Sequence, residues 1–195
     1  MALNMLCKLA ALTGLALMLT GCVDIELDVA LTSPETARAS LTQTMSGDFY
    51  AMLKMNAPPK DNQFCSKGEF TETDDGGAIC TITQEGRFAG LDLGEYETPV
   101  HFRSAGPGLV RISVPTAPIR AELDMGEDVD EETRQMLDSI LAKRAITLRF
   151  SGLAIAETNM ELTPDGAAEI VIPFSDLLDS KRQFPVEYYA VVRAP

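Results

Sequence analysis

The sequence predicts one α+β domain, in which two amphipathic helices pack on one face of an antiparallel sheet. Three observations lead to this prediction. Several short segments alternate apolar and polar residues, two longer segments place apolar residues at helical spacing, and turns rich in Gly and Pro separate the segments. With 195 residues, of which 46% are hydrophobic, the chain is long enough to bury one ordinary core.

The domain is predicted to begin with a strand and a helix. In the strand, at 23–29, apolar residues alternate with acids, so that one face is buried. The helix starts near Thr32, whose hydroxyl caps it, with Pro34 and Glu35 in its first turn. One apolar stripe follows, formed by Ala37, Leu41, Met45, Phe49 and Met52. We interpret the stripe as core, with the lining of a ligand cavity as the alternative.

Short strands and a second helix occupy the middle of the chain. The strands are predicted at 64–70, 78–83, 87–91, 99–103 and 109–114. An acidic stretch, 122–132, leads into an amphipathic helix at 133–144. Acids at the amino end of this helix, and Lys143 and Arg144 at its carboxyl end, suit the helix dipole.

The last part of the chain is predicted to be mostly strand. A strand at 146–151 precedes a hairpin whose strands, 155–162 and 167–173, flank the turn Thr-Pro-Asp-Gly at 163–166. Proline presets this turn and glycine accepts a positive φ. A short turn at 174–178 and a final strand at 186–192 complete the domain.

Residues 1–21 are predicted to be a lipoprotein signal peptide, and residues 22–195 a single mature domain. The apolar run at 9–19 is too short for a transmembrane helix, which needs about 20 apolar residues, but it suits a secretory signal. The sequence Leu-Thr-Gly-Cys at 19–22 resembles a lipobox, in which Cys22 receives a diacylglyceryl group and usually a third acyl chain such as palmitate. Two or three chains anchor a protein stably. An ordinary cleaved signal and an uncleaved core helix are the alternatives.

Cys65 and Cys80 are predicted to form a disulfide. Cys7 leaves with the signal and Cys22 takes lipid, so one pair of cysteines remains. The pair flanks Asp-Asp-Gly-Gly at 74–77, a turn between two strands, and an exported protein meets an oxidising compartment. Closing this loop contributes about 3 kcal/mol in the chain-entropy model. A metal or redox pair, the alternative, usually has CxxC spacing or histidines nearby, and neither occurs here.

The net charge of the chain restricts the kinds of molecule that it can bind. The whole chain has a formal charge of −13, and the loss of Lys8 with the signal changes it to −14. Such a surface repels nucleic acid and anionic headgroups, so nucleic acid is excluded as a partner and lipid is expected to be the membrane anchor. No linker separates Cys22 from the first strand, which keeps the domain close to the headgroups. Val23 and Asp24 do not match the inner-membrane retention signal of some bacteria, which favours an outer-membrane protein facing the periplasm.

The sequence contains no catalytic, cofactor or metal motif, and we therefore predict a protein that is not an enzyme and uses no cofactor. The GxSxG, HExxH and P-loop patterns do not occur. His101, the single histidine, lies in a predicted strand without nearby partners, so we interpret it as an ordinary strand residue rather than a catalytic or metal-binding one. The acids at 124–132 do not match an EF-hand, and we interpret them as a solvated loop that leads into a helix.

Several segments of the mature chain occur in a familiar order. Cys22 opens directly into Val-Asp-Ile-Glu-Leu, a helix is predicted near Phe49, and Ile-Thr-Leu-Arg-Phe-Ser-Gly at 146–152 is followed by Glu-Thr-Asn at 157–159 and by Asp-Gly at 165–166. This layout resembles lipoproteins of the LppM-domain type. The resemblance implies an envelope lipoprotein with a β-rich, helix-packed domain and no established enzymatic activity, and it makes lipid binding a hypothesis.

Two functional hypotheses of different classes remain. In the first, the protein is a binding module, and an apolar groove between the sheet and the two helices receives a lipid or another amphiphile near the membrane. In the second, it is a structural or interaction subunit of an envelope protein assembly and has no ligand pocket. An apolar pocket of roughly several hundred Å³ favours the first hypothesis, and a dry, filled core favours the second.

Overall fold

Strands dominate the computed structural model of the chain, which describes residues 23–56, 63–91, 100–123, 141, 143–179 and 181–195. The strands are β1 (Val23–Leu31), β2 (Thr36–Met45), β3 (Glu69–Glu72), β4 (Ala78–Arg87), β5 (His101–Gly106), β6 (Leu109–Pro115), β7 (Ala145–Ser151), β8 (Ala154–Thr158), β9 (Glu161–Leu162), β10 (Ala168–Pro173) and β11 (Glu187–Arg193). The helices with described bounds are α1 (Gly47–Asn56), α2 (Thr116–Leu123) and α3 (Phe174–Leu178), and short 3₁₀ turns lie at Gln63–Cys65 and Phe88–Gly90.

The strands form two sheets. Seven lie in the order β3-β4-β2-β1-β7-β10-β9, and four in the order β5-β6-β11-β8. β1 and β7 run parallel, whereas the other described neighbours pair antiparallel. The α+β prediction is therefore wrong: the described chain is mainly β, with two sheets and short helices, rather than one antiparallel sheet covered by two amphipathic helices.

The first predicted helix is largely a strand. Residues 36–45 form β2, which pairs with β1 along its whole length. A spacing of four residues, as between Ala37, Leu41 and Met45, is common to a helix and to one face of a strand, because four is a multiple of the strand period of two. Polar residues, several of them threonine, occupy the alternate positions and favour a strand. The helix, α1, begins only at Gly47.

Residues predicted to start that helix instead form the turn between β1 and β2. The Ser33 hydroxyl oxygen accepts hydrogen bonds from the N–H groups of Glu35 and Thr36, each at 3.1 Å. The N–H of Thr32 donates to the carbonyl oxygen of Thr36 at 3.0 Å. A hydroxyl side chain can accept hydrogen bonds from backbone N–H groups both in a turn and at the start of a helix. The local sequence therefore does not distinguish a turn from a helix start.

The second predicted helix, 133–144, falls almost entirely outside the described residues, as do the acids at 124–132. The sequence pattern did not predict α2. Among the side chains of this helix that the structure describes, Ile119 is the buried apolar one. Within the described ranges, no helix is both long enough and apolar enough to cross a bilayer.

Most of the other predicted strands are confirmed with small changes in their bounds. They correspond to β4, β5, β6, β7, β10 and β11. The strand predicted at 87–91 is wrong, because β4 ends at Arg87 and Phe88–Gly90 form a 3₁₀ turn. Two further predictions differ in detail. Only the end of the segment 64–70 lies in a strand, β3, and the segment 155–162 divides into β8 and β9, which belong to different sheets. The short turn predicted at 174–178 is α3.

The two predicted turns, at 74–77 and 163–166, are confirmed, and the pattern Thr-x-Asp-Gly occurs at both, as residues 73–76 and 163–166. In each turn the aspartate accepts a hydrogen bond from the threonine hydroxyl two residues earlier. The glycines, Gly76 and Gly166, have φ angles of +80° and +83°, a conformation that other residues rarely adopt. The turns join β3 to β4 and β9 to β10, which places similar hairpins at both edges of the seven-stranded sheet.

The inward faces of the two sheets share one apolar core. Because alternate residues of a strand face opposite sides, Leu27 and Val29 of β1 and Leu148 and Phe150 of β7 all face this core. The four-stranded sheet contributes Val110, Ile112, Val114, Tyr188, Ala190 and Val192. Phe150, Phe174, Ile112 and Leu148 are among its largest fully buried side chains.

A smaller apolar cluster lies at the end of the seven-stranded sheet where β1 begins. Val23, Met45, Tyr50 and Ala78 are buried there, and Phe49, Leu53, Phe64 and Phe70 pack against them. The predicted disulfide is confirmed beside this cluster, where Cys65 and Cys80 are bonded and their Cα atoms lie 5.4 Å apart.

Candidate functional site

The outward face of the seven-stranded sheet is polar and contains a depression of about 380 Å³. The inward faces of β1, β2 and β7 are apolar except for the buried Gln43 of β2, and the intervening residues of these strands point outward. They line the depression with carboxylate, guanidinium and hydroxyl groups and a single methyl side chain: Glu26, Asp28, Ala30, Arg38, Ser40, Thr42, Arg149 and Ser151. The lining therefore offers charged and hydrogen-bonding groups to a polar ligand.

Arg149, on β7, is the central cation of this surface. Its Nε lies 3.3 Å from Asp28 Oδ2, and its Nη1 lies 3.5 Å from Glu169 Oε2. A third acid, Asp165 of the β9–β10 turn, accepts a hydrogen bond from Nη2. The side chain of Arg149 is only 21% exposed. Three strands and a turn thus hold one guanidinium among three carboxylates, which fixes the floor of the depression.

Burial raises the pKa of one of these acids, and hydrogen bonding lowers the pKa of another. Desolvation by burial raises the pKa of Asp28 above its ordinary value of 3.8, although Arg149 lowers it. For Asp165, which is exposed, hydrogen bonds from the Thr163 hydroxyl and from Arg149 hold the pKa below that value. Asp28 and Asp165 pair with the same guanidinium but titrate differently, because Asp28 lies within the sheet and Asp165 lies at its edge.

We expect Asp28→Asn to change the pH dependence of stability in one direction. Because the folded state raises the pKa of Asp28, this group stabilises the fold below pH 3.8, and the contribution is lost as the pH rises through the folded-state pKa. The difference in the free energy of unfolding, variant minus wild type, should therefore increase as the pH rises from 3.8 towards neutrality. Urea denaturation at a series of pH values measures this difference.

Asp165→Asn is the matched control. For this variant we expect the difference in the free energy of unfolding to change with pH in the opposite direction. Its lowered pKa stabilises the fold above pH 3.8, and this contribution is lost as the pH falls through the folded-state pKa. The difference for this variant should therefore decrease as the pH rises towards 3.8 from below. If the difference in the free energy of unfolding changed with pH in the same way for both variants, it would contradict these causes, namely burial for Asp28 and hydrogen bonding for Asp165.

The other guanidinium of the depression, that of Arg38, is also paired. Its Nη2 lies 2.8 Å from Glu85 Oε2 on the neighbouring strand β4, and both side chains are at least half exposed. Around the depression, Arg38 and Arg149 therefore face Glu26 and the acids that pair with them: Asp28, Glu85, Asp165 and Glu169. The described acids outnumber the cations, so this surface disfavours an anionic ligand.

A second polar network covers the outward face of the four-stranded sheet. The Arg111 guanidinium stacks 3.4 Å above the ring centroid of Tyr189, and its Nη2 donates to Glu187 Oε1 at 2.6 Å. The hydroxyl of Tyr189 donates to Glu157 Oε1 at 2.7 Å. Hydrogen bonds from Arg111 and then from the Ser113 hydroxyl hold the pKa of Glu187 below its ordinary value. These groups hydrogen-bond to one another and so connect β6, β8 and β11.

His101 is exposed at the start of the edge strand β5, opposite Ser113 of β6. No three His, Cys, Asp or Glu side chains among the described residues are arranged to hold a metal ion. Cys22, the predicted lipidation site, lies outside the described residues.

The sequence did not indicate the depression. Its residues come from β1, β2 and β7, and β7 follows β2 by about a hundred residues, so no local motif connects them. One signal was present, because the outward position of Arg149 in a strand of alternating residues predicts a charged group on the sheet surface. The acids that pair with it could not be chosen without the strand order.

Comparisons with known proteins bear on the fold. No family model and no curated protein matches the chain. The NMR structure of the folded domain of LppM from Mycobacterium tuberculosis is similar to it, with a TM-score of 0.50 over 89% of this chain and 90% of that chain. The chain has an LppM-like fold. Sequence identity is 11%, so the likeness concerns the fold alone.

The LppM-like fold confirms part of the resemblance found in the sequence. The implied β-rich domain is present, and the match covers most of both chains. Attachment of lipid to Cys22, the signal peptide and the membrane in which the protein resides stay predictions.

Proposed function

We propose that this protein is a lipid-anchored lipoprotein of the bacterial cell envelope that binds the polar headgroup of an amphiphile in the depression on its seven-stranded sheet. It acts as a binding protein rather than as an enzyme. The observation that carries the proposal is the lining of the depression, where hydroxyl, carboxylate and guanidinium groups surround one methyl side chain. Polar groups that converge in a concave site are typical of ligand binding.

The anchor supports the choice of an amphiphile. The lipobox at 19–22 ends one residue before β1 begins at Val23, and β1 contributes three of the lining residues. A domain joined this closely to an acylated cysteine stays beside the headgroups, where amphiphiles are concentrated. The LppM-like fold is compatible with an envelope lipoprotein. We place the protein at the outer membrane, facing the periplasm, because Val23 and Asp24 do not match the retention signal.

The charge balance narrows the ligand class. Both guanidinium groups of the depression are already paired with carboxylates, and Glu26 adds a further exposed acid. A phosphate group would meet net negative charge. A neutral polyhydroxylated group would find donors and acceptors in Ser151 and in the remaining capacity of the Ser40 and Thr42 hydroxyls, which also bond those of Thr83 and Thr81. The proposed ligand is therefore an amphiphile with an uncharged, hydroxyl-rich headgroup.

An acyl chain enclosed between a sheet and two helices is no longer part of this hypothesis. That groove required the helix at 32–52, which is largely β2, and side chains as large as Phe150 and Phe174 fill the interior instead. The proposal therefore concerns the headgroup of the ligand alone, which enters the depression.

Ala30→Trp tests the proposal by filling the depression. Ala30 lines it from β1, and the indole would occupy the space of the headgroup. We expect wild-type protein to bind octyl glucoside, below its micelle concentration, about tenfold more tightly than octyl phosphate, and Ala30→Trp to weaken glucoside binding by about tenfold, or about 1.4 kcal/mol. Native mass spectrometry and calorimetry measure both.

Val171→Trp is the matched control. Val171 is 53% exposed and also points outward, on β10, but it does not line the depression. Its substitution should change glucoside affinity by less than about twofold, which is within the usual error of such measurements. Equal losses in the two variants, or equal affinity of the wild type for glucoside and phosphate, would contradict the proposed site.

A second candidate function is a structural or interaction subunit of an envelope protein assembly, which the filled core between the sheets favours. In this function the outward faces act as protein-binding surfaces and the depression has no small ligand. Crosslinking in intact cells, followed by purification, distinguishes the two. Recovery of this chain alone argues against an assembly, whereas a defined partner crosslinked through the seven-stranded sheet argues against a headgroup site.

A further inference from the structure

Helix α1 has one buried face and one exposed apolar face. Phe49, Tyr50 and Leu53 pack on the small cluster that contains Val23 and Met45. The opposite face presents Met52 and Met55, which are 44% and 80% exposed. Residues three apart lie side by side on a helix, so the two methionines form one exposed apolar surface.

We propose that Met52 and Met55 are a membrane-docking surface, and that its occupant is the interfacial region of the bilayer in which Cys22 is anchored. This inference rests on the proposed lipid anchor. It goes beyond that anchor by assigning a second contact with the membrane, made by a protein surface, which sets the orientation of the domain.

The position of α1 relative to the anchor carries the inference. Val23 is the residue after Cys22, and consecutive Cα atoms lie about 3.8 Å apart. Val23 contacts the cluster under α1, and a helix with its side chains is about 10–12 Å across. The exposed methionines are therefore separated by the width of one helix from the cluster that contains Val23, the described residue next to the proposed anchor. The headgroup layer is about 5–8 Å thick on each side of the bilayer, so an anchored Val23 brings this face of α1 to the interface.

The electrostatic surroundings favour an apolar contact. Lys54 is engaged by Glu72, at 3.2 Å, and by the Tyr50 ring, so its charge is partly neutralised. The start of the helix lies against the acidic turn at 74–77, since a Cβ on Gly47 would approach the carbonyl oxygen of Asp75 to 2.5 Å. Anionic headgroups would be repelled there, and docking should therefore occur on zwitterionic phosphatidylcholine.

The chain offers a matched control at the opposite end of the sheet. Leu153 is 67% exposed and follows Ser151, which pairs with Ala30 near the end of β1. Seven residues of strand separate Ala30 from Val23, or roughly 23 Å at 3.3 Å per residue. Leu153 is thus as apolar and as accessible as the α1 methionines, but it lies far from the anchor.

Site-specific labelling of the full-length lipidated protein tests the inference. Met55→Cys and Leu153→Cys each add one free thiol, because Cys65 and Cys80 are bonded and Cys22 is acylated in the proposed mature protein. Each variant is labelled with an environment-sensitive fluorophore, without reductant, and reconstituted in phosphatidylcholine vesicles with or without brominated acyl chains. We expect brominated lipid to quench the label at position 55 at least about twofold more than the label at 153, since quenching requires insertion to the acyl boundary.

The mass of the mature amino terminus, measured on the same samples, separates the two proposals. Acylated Cys22 with equal quenching at both positions would overturn the docking surface and leave the anchor intact. An unacylated amino terminus with neither label quenched would overturn the anchor, and the docking surface with it. Acylation together with selective quenching at position 55 supports both.

Discussion

Phe150→Ala is expected to lower the free energy of unfolding by about 3–5 kcal/mol, the usual range for removal of a buried aromatic ring. Phe150 is fully buried on β7, in the core that the two sheets share. Its cross-strand neighbours are Val29 and Ala168, both also fully buried. These small side chains cannot expand into the space left by the ring, so most of the cavity should persist. Urea denaturation at neutral pH measures the loss.

Val171→Ala provides the comparison on the same sheet. Val171 points to solvent from β10, and shortening an exposed side chain usually changes stability by less than about 0.5 kcal/mol. The pair separates burial from strand propensity, because both substitutions replace a strand-forming residue with alanine. A loss below about 1 kcal/mol for Phe150→Ala would show that the two sheets do not share a packed core.

Cys22→Ala is expected to abolish lipid attachment and to remove the protein from the outer-membrane fraction. Each buried methylene of an acyl chain contributes about 0.8 kcal/mol to membrane binding, so the loss of two or three chains removes the whole anchor. Cleavage before residue 22 also depends on the lipobox cysteine, and residues 1–21 should therefore remain on the variant. Intact mass of the purified protein, together with fractionation of the membranes, measures both effects.

Cys7→Ala is the control for that substitution. Cys7 lies within residues 1–21, so its replacement should leave the mass and the membrane location of the mature protein unchanged. An acyl mass in the Cys22→Ala variant, or its recovery in the outer membrane at the wild-type level, would show that another residue holds the anchor. An inner-membrane location for the wild type would contradict only the sorting prediction drawn from Val23 and Asp24.

Local patterns predicted the strands well. Alternation over 146–151 and around 109–114 is a direct result of a strand with one buried face, and both segments are strands of the shared core. The two Thr-x-Asp-Gly turns were also predictable, since the glycine and the aspartate satisfy the turn without help from distant residues. The disulfide followed from the count of cysteines and the turn between them.

The prediction failed where one pattern suits two structures. Ala37, Leu41 and Met45 are spaced by four, which satisfies both a helix and one face of a strand. The segment forms a strand because it pairs with β1 on one side and β4 on the other, so that its backbone groups are hydrogen-bonded on both sides. The candidate site was hidden for a related reason: Asp28 and Arg149 meet only because β1 and β7 are parallel neighbours.

The sequence by itself determined most of the segments that become strands, where two of the turns fall and which cysteines pair, because each of these depends on residues close together along the chain or on a simple count. It also carries the predicted acylation signal at 19–22. Only the tertiary structure decided that there are two sheets, that β2 replaces a helix, and that outward residues of β1, β2 and β7 enclose a polar depression. These features depend on which strands become neighbours, and that order minimises the exposed apolar area and the unpaired backbone of the whole chain rather than of any one segment.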